Sequence, residues 1–139
     1  MKEGILYHDL KDIVERTRFI HIENRIEIGT PDIWFANPLN RGWLEAKQFT
    51  LPKKADTPIK VPFRQGQYNW IMDEVDHGGI VLLGMLTDAG YFFAVNKKIQ
   101  EVYSKADFEL AKTGAEGLLW YIDKKHFNWF FNNVPFVMA

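Results

Sequence analysis

The sequence predicts an α/β protein in which helices flank a mixed central β-sheet. Three observations predict this class: alternating apolar and polar residues near the N-terminus, a continuous apolar run in the middle, and segments of helical periodicity around them. The chain has 139 residues, of which 47% are hydrophobic and 25% are charged. Because a chain of this size buries enough surface for a core of its own, we predict a single domain over residues 1–139.

The first half of the chain predicts a helix and then three strands. Leu6, Leu10 and Val14 recur at helical spacing, which predicts an N-terminal amphipathic helix. β-Branched and aromatic residues mark the three strands, at 19–23, 32–36 and 43–49. The Gly-Thr-Pro segment at 29–31 predicts a turn before the second strand. A polar loop at 37–42 joins the second and third strands, so we predict that they pair as a hairpin.

The second half of the chain predicts an exposed loop, a helix, a strand hairpin and further helices. The loop holds three prolines and three lysines, the helix ends at Gly78-Gly79, and the first strand of the hairpin is continuously apolar. The ranges are 51–62 for the loop, 65–77 for the helix, 80–86 and 91–95 for the strands, and about 105 onward for the helices, with a break at 114–117. Aromatic residues are concentrated near the end of the chain. Three interpretations are open: they form part of the core, they form a dimer interface, or they stack against the bases of a single strand.

Composition and charge exclude several classes of protein. The absence of cysteine excludes a disulfide framework, a thiolate zinc site and a cysteine nucleophile. With a net charge of −1, any binding of nucleic acid depends on a local basic patch. The four histidines lack ligand spacing and are predicted to be surface or hydrogen-bonded residues. Because we find neither a membrane span nor a signal peptide, we expect a cytoplasmic protein.

Three charged residues fall on the predicted hairpin. Glu45 and Lys47 are two residues apart on one strand and therefore share a face, and hairpin pairing brings Asp32 alongside them. One interpretation is a cross-strand salt bridge on a solvated face. The flanking residues are largely apolar, however, and burying three charges in such a sheet is costly unless a metal or a function compensates.

The types of these residues favour phosphodiester hydrolysis. The carboxylates of Asp32 and Glu45, together with the backbone carbonyl of Ala46, are hard oxygen ligands suited to Mg²⁺, for which Mn²⁺ can substitute. A metal-bound water can act as the nucleophile while the ion screens a phosphate oxygen. Lys47 can orient that water or stabilise developing charge, whereas in a glycosidase it would have no role.

These residues resemble a known family. Gly-Thr-Pro-Asp at 29–32, Glu-Ala-Lys at 45–47 and a glutamine opening the next helix are similar to the PD-(D/E)XK nuclease superfamily, and to its small VRR-NUC type in phage and bacterial proteins. The resemblance implies a restriction-endonuclease-like fold with a nuclease core at 1–95 and a helical, aromatic-rich extension at 96–139. It also implies that Asp32 and Glu45 hold the metal, that Lys47 assists hydrolysis and that Gln67 positions the site.

The family also uses an acid on the first helix. Glu3 lies on the same stripe as Leu6 and Leu10, so we favour it as a further catalytic residue and metal ligand. Glu15 on the polar side of that helix and Glu23 on the following strand are the alternatives.

The substrate is predicted to be DNA. Between residues 41 and 64 the chain has six basic and two acidic residues, a local excess of positive charge beside the predicted site. The candidate DNA-binding residues are Arg41, Lys53, Lys54, Lys60 and Arg64. The resemblance implies a homodimer that cleaves branched DNA, as Holliday junction resolvases do. Two alternatives stay open: a less selective nuclease for flaps, nicks, single strands or RNA, and a non-catalytic nucleic-acid-binding or partner-binding module.

Overall fold

A computed structural model describes residues 4–22 and 29–139 of the chain. Two of the acids considered above, Glu3 and Glu23, lie outside these described residues. The helices are α1 Gly4–Ile13, α2 Gln67–Asp76, α3 Lys105–Lys112 and α4 Phe127–Asn133. The strands are β1 Arg18–His21, β2 Ile33–Ala36, β3 Arg41–Gln48, β4 Ile59–Lys60, β5 Val81–Thr87, β6 Gly90–Val95, β7 Val102–Tyr103 and β8 Trp120–Tyr121. Within the described ranges, no helix combines the length and apolarity that crossing a membrane requires.

Six strands form a mixed sheet in the order β1-β2-β3-β5-β6-β8. β3 and β5 run parallel, whereas β1–β2, β2–β3, β5–β6 and β6–β8 are antiparallel. Since α2 lies between β3 and β5 in the chain, it supplies the crossover that parallel pairing requires. The arrangement confirms the predicted fold class and both predicted hairpins, β2–β3 and β5–β6.

The helices cover both faces of the sheet. Leu82 and Leu83 are neighbours on β5, yet they point to opposite faces and join different apolar clusters. Leu82 packs in a cluster with residues of α1 and α4, whereas Leu83 packs in a cluster with residues of α2 and α3. The central strand is therefore buried on both sides, as its continuous apolar sequence predicts.

The structure corrects two of the predicted segments. The stretch predicted as an exposed loop, 51–62, contains β4, which pairs with β7, and its Ile59 and Val61 side chains are buried. The stretch predicted as helical from about residue 105 also contains β8, which pairs with the outer edge of β6. Both strands have only two residues, which is too short for a recognisable alternation of apolar and polar residues. They are strands because they pair with β7 and β6.

The aromatic residues near the C-terminus contribute to the core. Phe127, Phe130, Phe131 and Phe136 are completely buried and pack with α1 and the sheet. The Asn40 side chain ties the β2–β3 loop to this segment, since its amide donates to the carbonyls of Phe131 and Val134 and its oxygen accepts from the Phe136 N–H. Of the three interpretations of the aromatic residues, core packing therefore describes these four phenylalanines.

Candidate active site

The β2–β3 hairpin brings the two predicted carboxylates together. In its register Ile33 pairs with Leu44, so the next position places Asp32 beside Glu45. Because side chains alternate along a strand, Asp32 and Glu45 point away from the face on which Ile33 and Leu44 pack with α1. They therefore lie on the face that α2 covers.

Glu45 has two oxygens with different surroundings. The side chain is only 1% exposed. Its Oε2 lies 3.2 Å from the Lys47 Nζ and accepts a hydrogen bond of 3.0 Å from the Gln67 Nε2. Its Oε1 is also buried, but it has no hydrogen-bond partner among the described residues. A buried acceptor without a partner is uncommon and indicates a place for a missing donor or cation.

Gln67 joins this carboxylate to the start of α2. It is the first residue of the helix and is completely buried. While its Nε2 contacts Glu45, its Oε1 accepts a hydrogen bond of 2.7 Å from the Arg64 N–H. One side chain thus fixes both the orientation of the carboxylate and the segment before the helix.

Two glycines allow the turn before β2 to approach this helix start. Gly29 and Gly66 have φ angles of 92° and 84°, in the left-handed region that glycine adopts without strain. A Cβ on Gly29 would lie 2.4 Å from the carbonyl oxygen of Gly66. The two backbones are therefore in close contact, which brings Asp32 and Gln67 to the same end of the site.

Two further contacts complete the charged cluster. The Arg64 guanidinium lies 3.4 Å from Oδ1 of Asp32, and these side chains are 43% and 22% exposed. The Lys47 Nζ lies 5.9 Å from the centre of the Phe63 ring, a cation–π contact. The cluster therefore extends from a buried centre at Glu45 to a solvent-accessible edge at Arg64.

Charges of both signs act on the Glu45 carboxyl. Burial raises the pKa of Glu45 and the negative charge of Asp32 raises it as well, whereas Lys47 and Arg64 lower it. The two carboxylates are thus close enough to repel each other. A divalent cation between them would relieve that repulsion.

The donors fit Mg²⁺. The carboxylate oxygens of Asp32 and the unpartnered Oε1 of Glu45 are hard ligands. Mg²⁺ is usually held by one or two carboxylates while it keeps several waters. The part of the chain that the structure describes contains no group of three His, Asp or Glu side chains able to hold a metal. Glu3, the predicted further ligand, lies outside that part.

A cleft opens at Asp32, one of these donors, on the side of the sheet where α1 lies, and Glu45 does not line it. It has a volume of about 290 Å³, and Asp32 and Ala46 line it together with Tyr7, His8 and His21. A larger cavity of about 500 Å³ elsewhere is lined by none of the predicted site residues. No pattern in the sequence associates the two histidines with Asp32, because only the packing of α1 and β1 brings them near it.

The predicted DNA-binding residues differ in their positions. Arg64 lies in the cluster, whereas Arg41 begins β3, about 13 Å from Glu45 at the usual rise of about 3.3 Å per strand residue. The other three, Lys53, Lys54 and Lys60, are exposed on the segment between β3 and α2.

Glu15, the alternative acid on the first helix, follows α1 and is exposed. Its backbone N–H donates to the side chain of Asn128, and its carbonyl oxygen accepts from the side chain of Asn132. These contacts place it against α4 rather than beside Asp32.

Comparison with known proteins defines the class of fold. The molecule has a restriction-endonuclease-like fold, in which helices flank a mixed central sheet. A solved structure that it resembles is Hjc, a Holliday junction resolvase from the archaeal hyperthermophile Archaeoglobus fulgidus, with a TM-score of 0.53. The match covers 78% of this chain and 88% of the resolvase, at 11% sequence identity. No protein-family model matches the sequence, and no curated protein matches it.

Proposed function

We propose that the protein is a metal-dependent endonuclease that hydrolyses phosphodiester bonds in DNA and selects branched structures. The observation that carries this proposal is the environment of Glu45: its Oε2 contacts Lys47 and Gln67, its Oε1 is buried without a hydrogen-bond partner among the described residues, and the charge of Asp32 acts on the same carboxyl. A salt bridge that served stability alone would not require an unpartnered carboxylate oxygen beside a second carboxylate.

Asp32, Glu45 and the backbone carbonyl of Ala46 would hold Mg²⁺, or Mn²⁺ in its place, with Glu3 as a further ligand. The bound ion would supply an activated water and screen charge on the scissile phosphate. Gln67 has a positioning role, because its hydrogen bond to Oε2 leaves Oε1 free to face the ion. Lys47 is buried beside the same carboxylate, where its charge can orient the water and stabilise the negative charge that develops on the phosphate.

The likeness to a Holliday junction resolvase supports DNA as the substrate and a branched structure as its preferred form. Exposed basic residues between β3 and α2, together with Arg64, supply phosphate contacts that hold the backbone without reading bases. The VRR-NUC type, a phage or bacterial origin and a homodimer, which rest on the sequence resemblance, complete the proposal together with a cytoplasmic location.

Cleavage of a panel of labelled DNA substrates tests this function. The purified protein is incubated with Mg²⁺ or Mn²⁺ and a four-way junction, a flap, a nicked duplex, an intact duplex or a single strand. We expect metal-dependent cleavage that is fastest on the junction and is lost in Asp32→Ala and Glu45→Ala, because each variant removes a metal ligand. Glu109→Ala, which removes an exposed carboxylate from α3, is the matched control and should retain activity.

The outcomes separate the alternatives. Comparable rates on flaps, nicks or single strands would indicate a less selective nuclease. DNA binding without cleavage of any substrate would indicate a non-catalytic binding module. Cleavage that persists in both Asp32→Ala and Glu45→Ala would contradict the assignment of the site.

A further inference from the structure

Arg64 occupies an unusual position in the candidate site. Its guanidinium lies 3.4 Å from Oδ1 of Asp32, the carboxylate that we propose as a metal ligand. Its backbone N–H is held by the Gln67 Oε1 at 2.7 Å, and Gln67 in turn contacts Glu45. The backbone of Arg64 is thus anchored to the buried centre of the site, while its side chain, 43% exposed, reaches the solvent-accessible edge.

From this geometry, and resting on the proposed function, we infer that Arg64 is an exchangeable counter-ion of the metal site. It neutralises Asp32 when no divalent cation is bound, and it moves to a phosphate of the DNA backbone when cation and DNA are both present.

The exchange follows from charge. A divalent cation at Asp32 would repel the guanidinium that contacts the same carboxylate, so the two positive charges compete for one place. The ion pair between Arg64 and Asp32 is weak enough for a cation to displace the guanidinium, because partly exposed ion pairs contribute little free energy. The backbone anchor keeps the released side chain within reach of the site.

The displaced guanidinium has one suitable partner in the proposed reaction. Arginine presents a planar fork of N–H donors that matches the oxygens of a phosphate, often with two parallel hydrogen bonds. A DNA strand whose scissile phosphate approaches Asp32 and Glu45 brings such oxygens to the edge where Arg64 lies. Metal binding therefore makes Arg64 available to DNA, and by reciprocity bound DNA favours metal binding.

Metal affinity in the absence of DNA is the first test. Mn²⁺ binding is measured by calorimetry, and by the rise in melting temperature, for the wild type, Arg64→Gln, Arg64→Lys and Arg41→Gln. We expect Arg64→Gln to bind Mn²⁺ about two- to fivefold more tightly, because the competing charge is gone. Arg64→Lys should stay close to the wild type, since it keeps the charge. Arg41→Gln also removes one positive charge, but at the start of β3, away from Asp32. It should leave the Mn²⁺ affinity unchanged.

DNA affinity is the second test. Binding of a four-way junction is measured with EDTA and with Ca²⁺, another cation that takes oxygen ligands. We expect Arg64→Gln to weaken binding several-fold more with Ca²⁺ than with EDTA, because only the cation releases Arg64 from Asp32.

The results distinguish this inference from the proposed function. Failure of the wild type to bind Mn²⁺ would overturn the metal site itself. Normal Mn²⁺ binding with equal or weaker affinity in Arg64→Gln would overturn only the role of Arg64, and so would an equal effect of Arg64→Gln on DNA binding in EDTA and Ca²⁺. Because the Arg64 side chain is partly exposed, the variants should fold, and their metal-free melting temperatures verify this.

Discussion

At the scale of single residues, Lys47 and Glu45 depend on each other. Both are buried, and their side chains lie 3.2 Å apart. Burial raises the pKa of Glu45, and Lys47 opposes this rise. Removing one member of such a pair leaves the other charged group buried with less compensation, which is more costly than the pair itself.

Lys47→Met should therefore destabilise the protein in a pH-dependent way. Without Lys47 the pKa of Glu45 rises further above its value in the unfolded chain. The folded state then binds the proton more tightly, so its stability falls as pH rises from the ordinary glutamate range through the raised pKa. We expect a loss of about 3 kcal/mol at about pH 8 and a smaller loss at about pH 5.5.

Urea denaturation at the two pH values measures this difference. Lys112→Met is the matched control, because Lys112 also lies over an aromatic ring, 5.7 Å from the centre of Tyr121, but is exposed. An equal loss of stability for Lys47→Met at both pH values would contradict the proposed dependence on Glu45.

At the scale of elements, the site depends on how closely the turn before β2 approaches the start of α2. Gly29 makes that contact with Gly66, and Gln67 and Asp32 lie on either side of it. A displacement of this turn would therefore change the distance between residues that the proposed reaction uses together.

Gly29→Ala should impair both stability and metal binding. The new methyl group meets the Gly66 carbonyl oxygen at 2.4 Å in a backbone conformation that alanine disfavours, and we expect a loss of about 3 kcal/mol. Gly78→Ala separates the two causes, since Gly78 has a similar φ of 90° but an added Cβ would have no neighbour within 4 Å. It should cost about 1 kcal/mol and leave Mn²⁺-induced stabilisation intact. Equal effects of the two substitutions on denaturation and Mn²⁺ binding would show that the close contact is unimportant.

The parts of the site that are close in sequence could be predicted, whereas those that depend on packing could not. The β2–β3 hairpin, whose register places Asp32 beside Glu45 when it is extended by one residue, follows from strand alternation and one polar loop, which are local signals. The contact between Arg64 and Asp32 depends on where α2 begins relative to β2, and no local pattern encodes that distance. The same holds for β4 and β8, whose two residues become strands only because β7 and β6 lie beside them.

At the scale of the whole molecule, Asn40 connects the hairpin that carries the site to the segment at the far end of the chain. Its side chain forms hydrogen bonds with Phe131, Val134 and Phe136, at 3.0, 2.7 and 2.8 Å. The asparagine is buried, so losing these bonds would leave backbone groups without partners.

Asn40→Ala should lower the free energy of unfolding by about 3 kcal/mol. Asn133→Ala, which removes an exposed asparagine whose side chain bonds within α4, should change it by less than about 0.5 kcal/mol. Chemical denaturation of both variants provides the comparison. A loss for Asn40→Ala no larger than that for Asn133→Ala would mean that this connection does not stabilise the fold.

The buried Oε1 of Glu45, which has no hydrogen-bond partner among the residues that the structure describes, also has a consequence for the lifetime of the protein in a cell. An atom left without a partner in the interior weakens the native state, and a ligand that occupies its vicinity restores that loss and adds its own binding free energy. Proteases degrade the fraction of molecules that open transiently, and this fraction shrinks as native stability grows. Under the proposed function, a supply of magnesium would therefore raise the abundance of the protein, and copies without the ion would be degraded first.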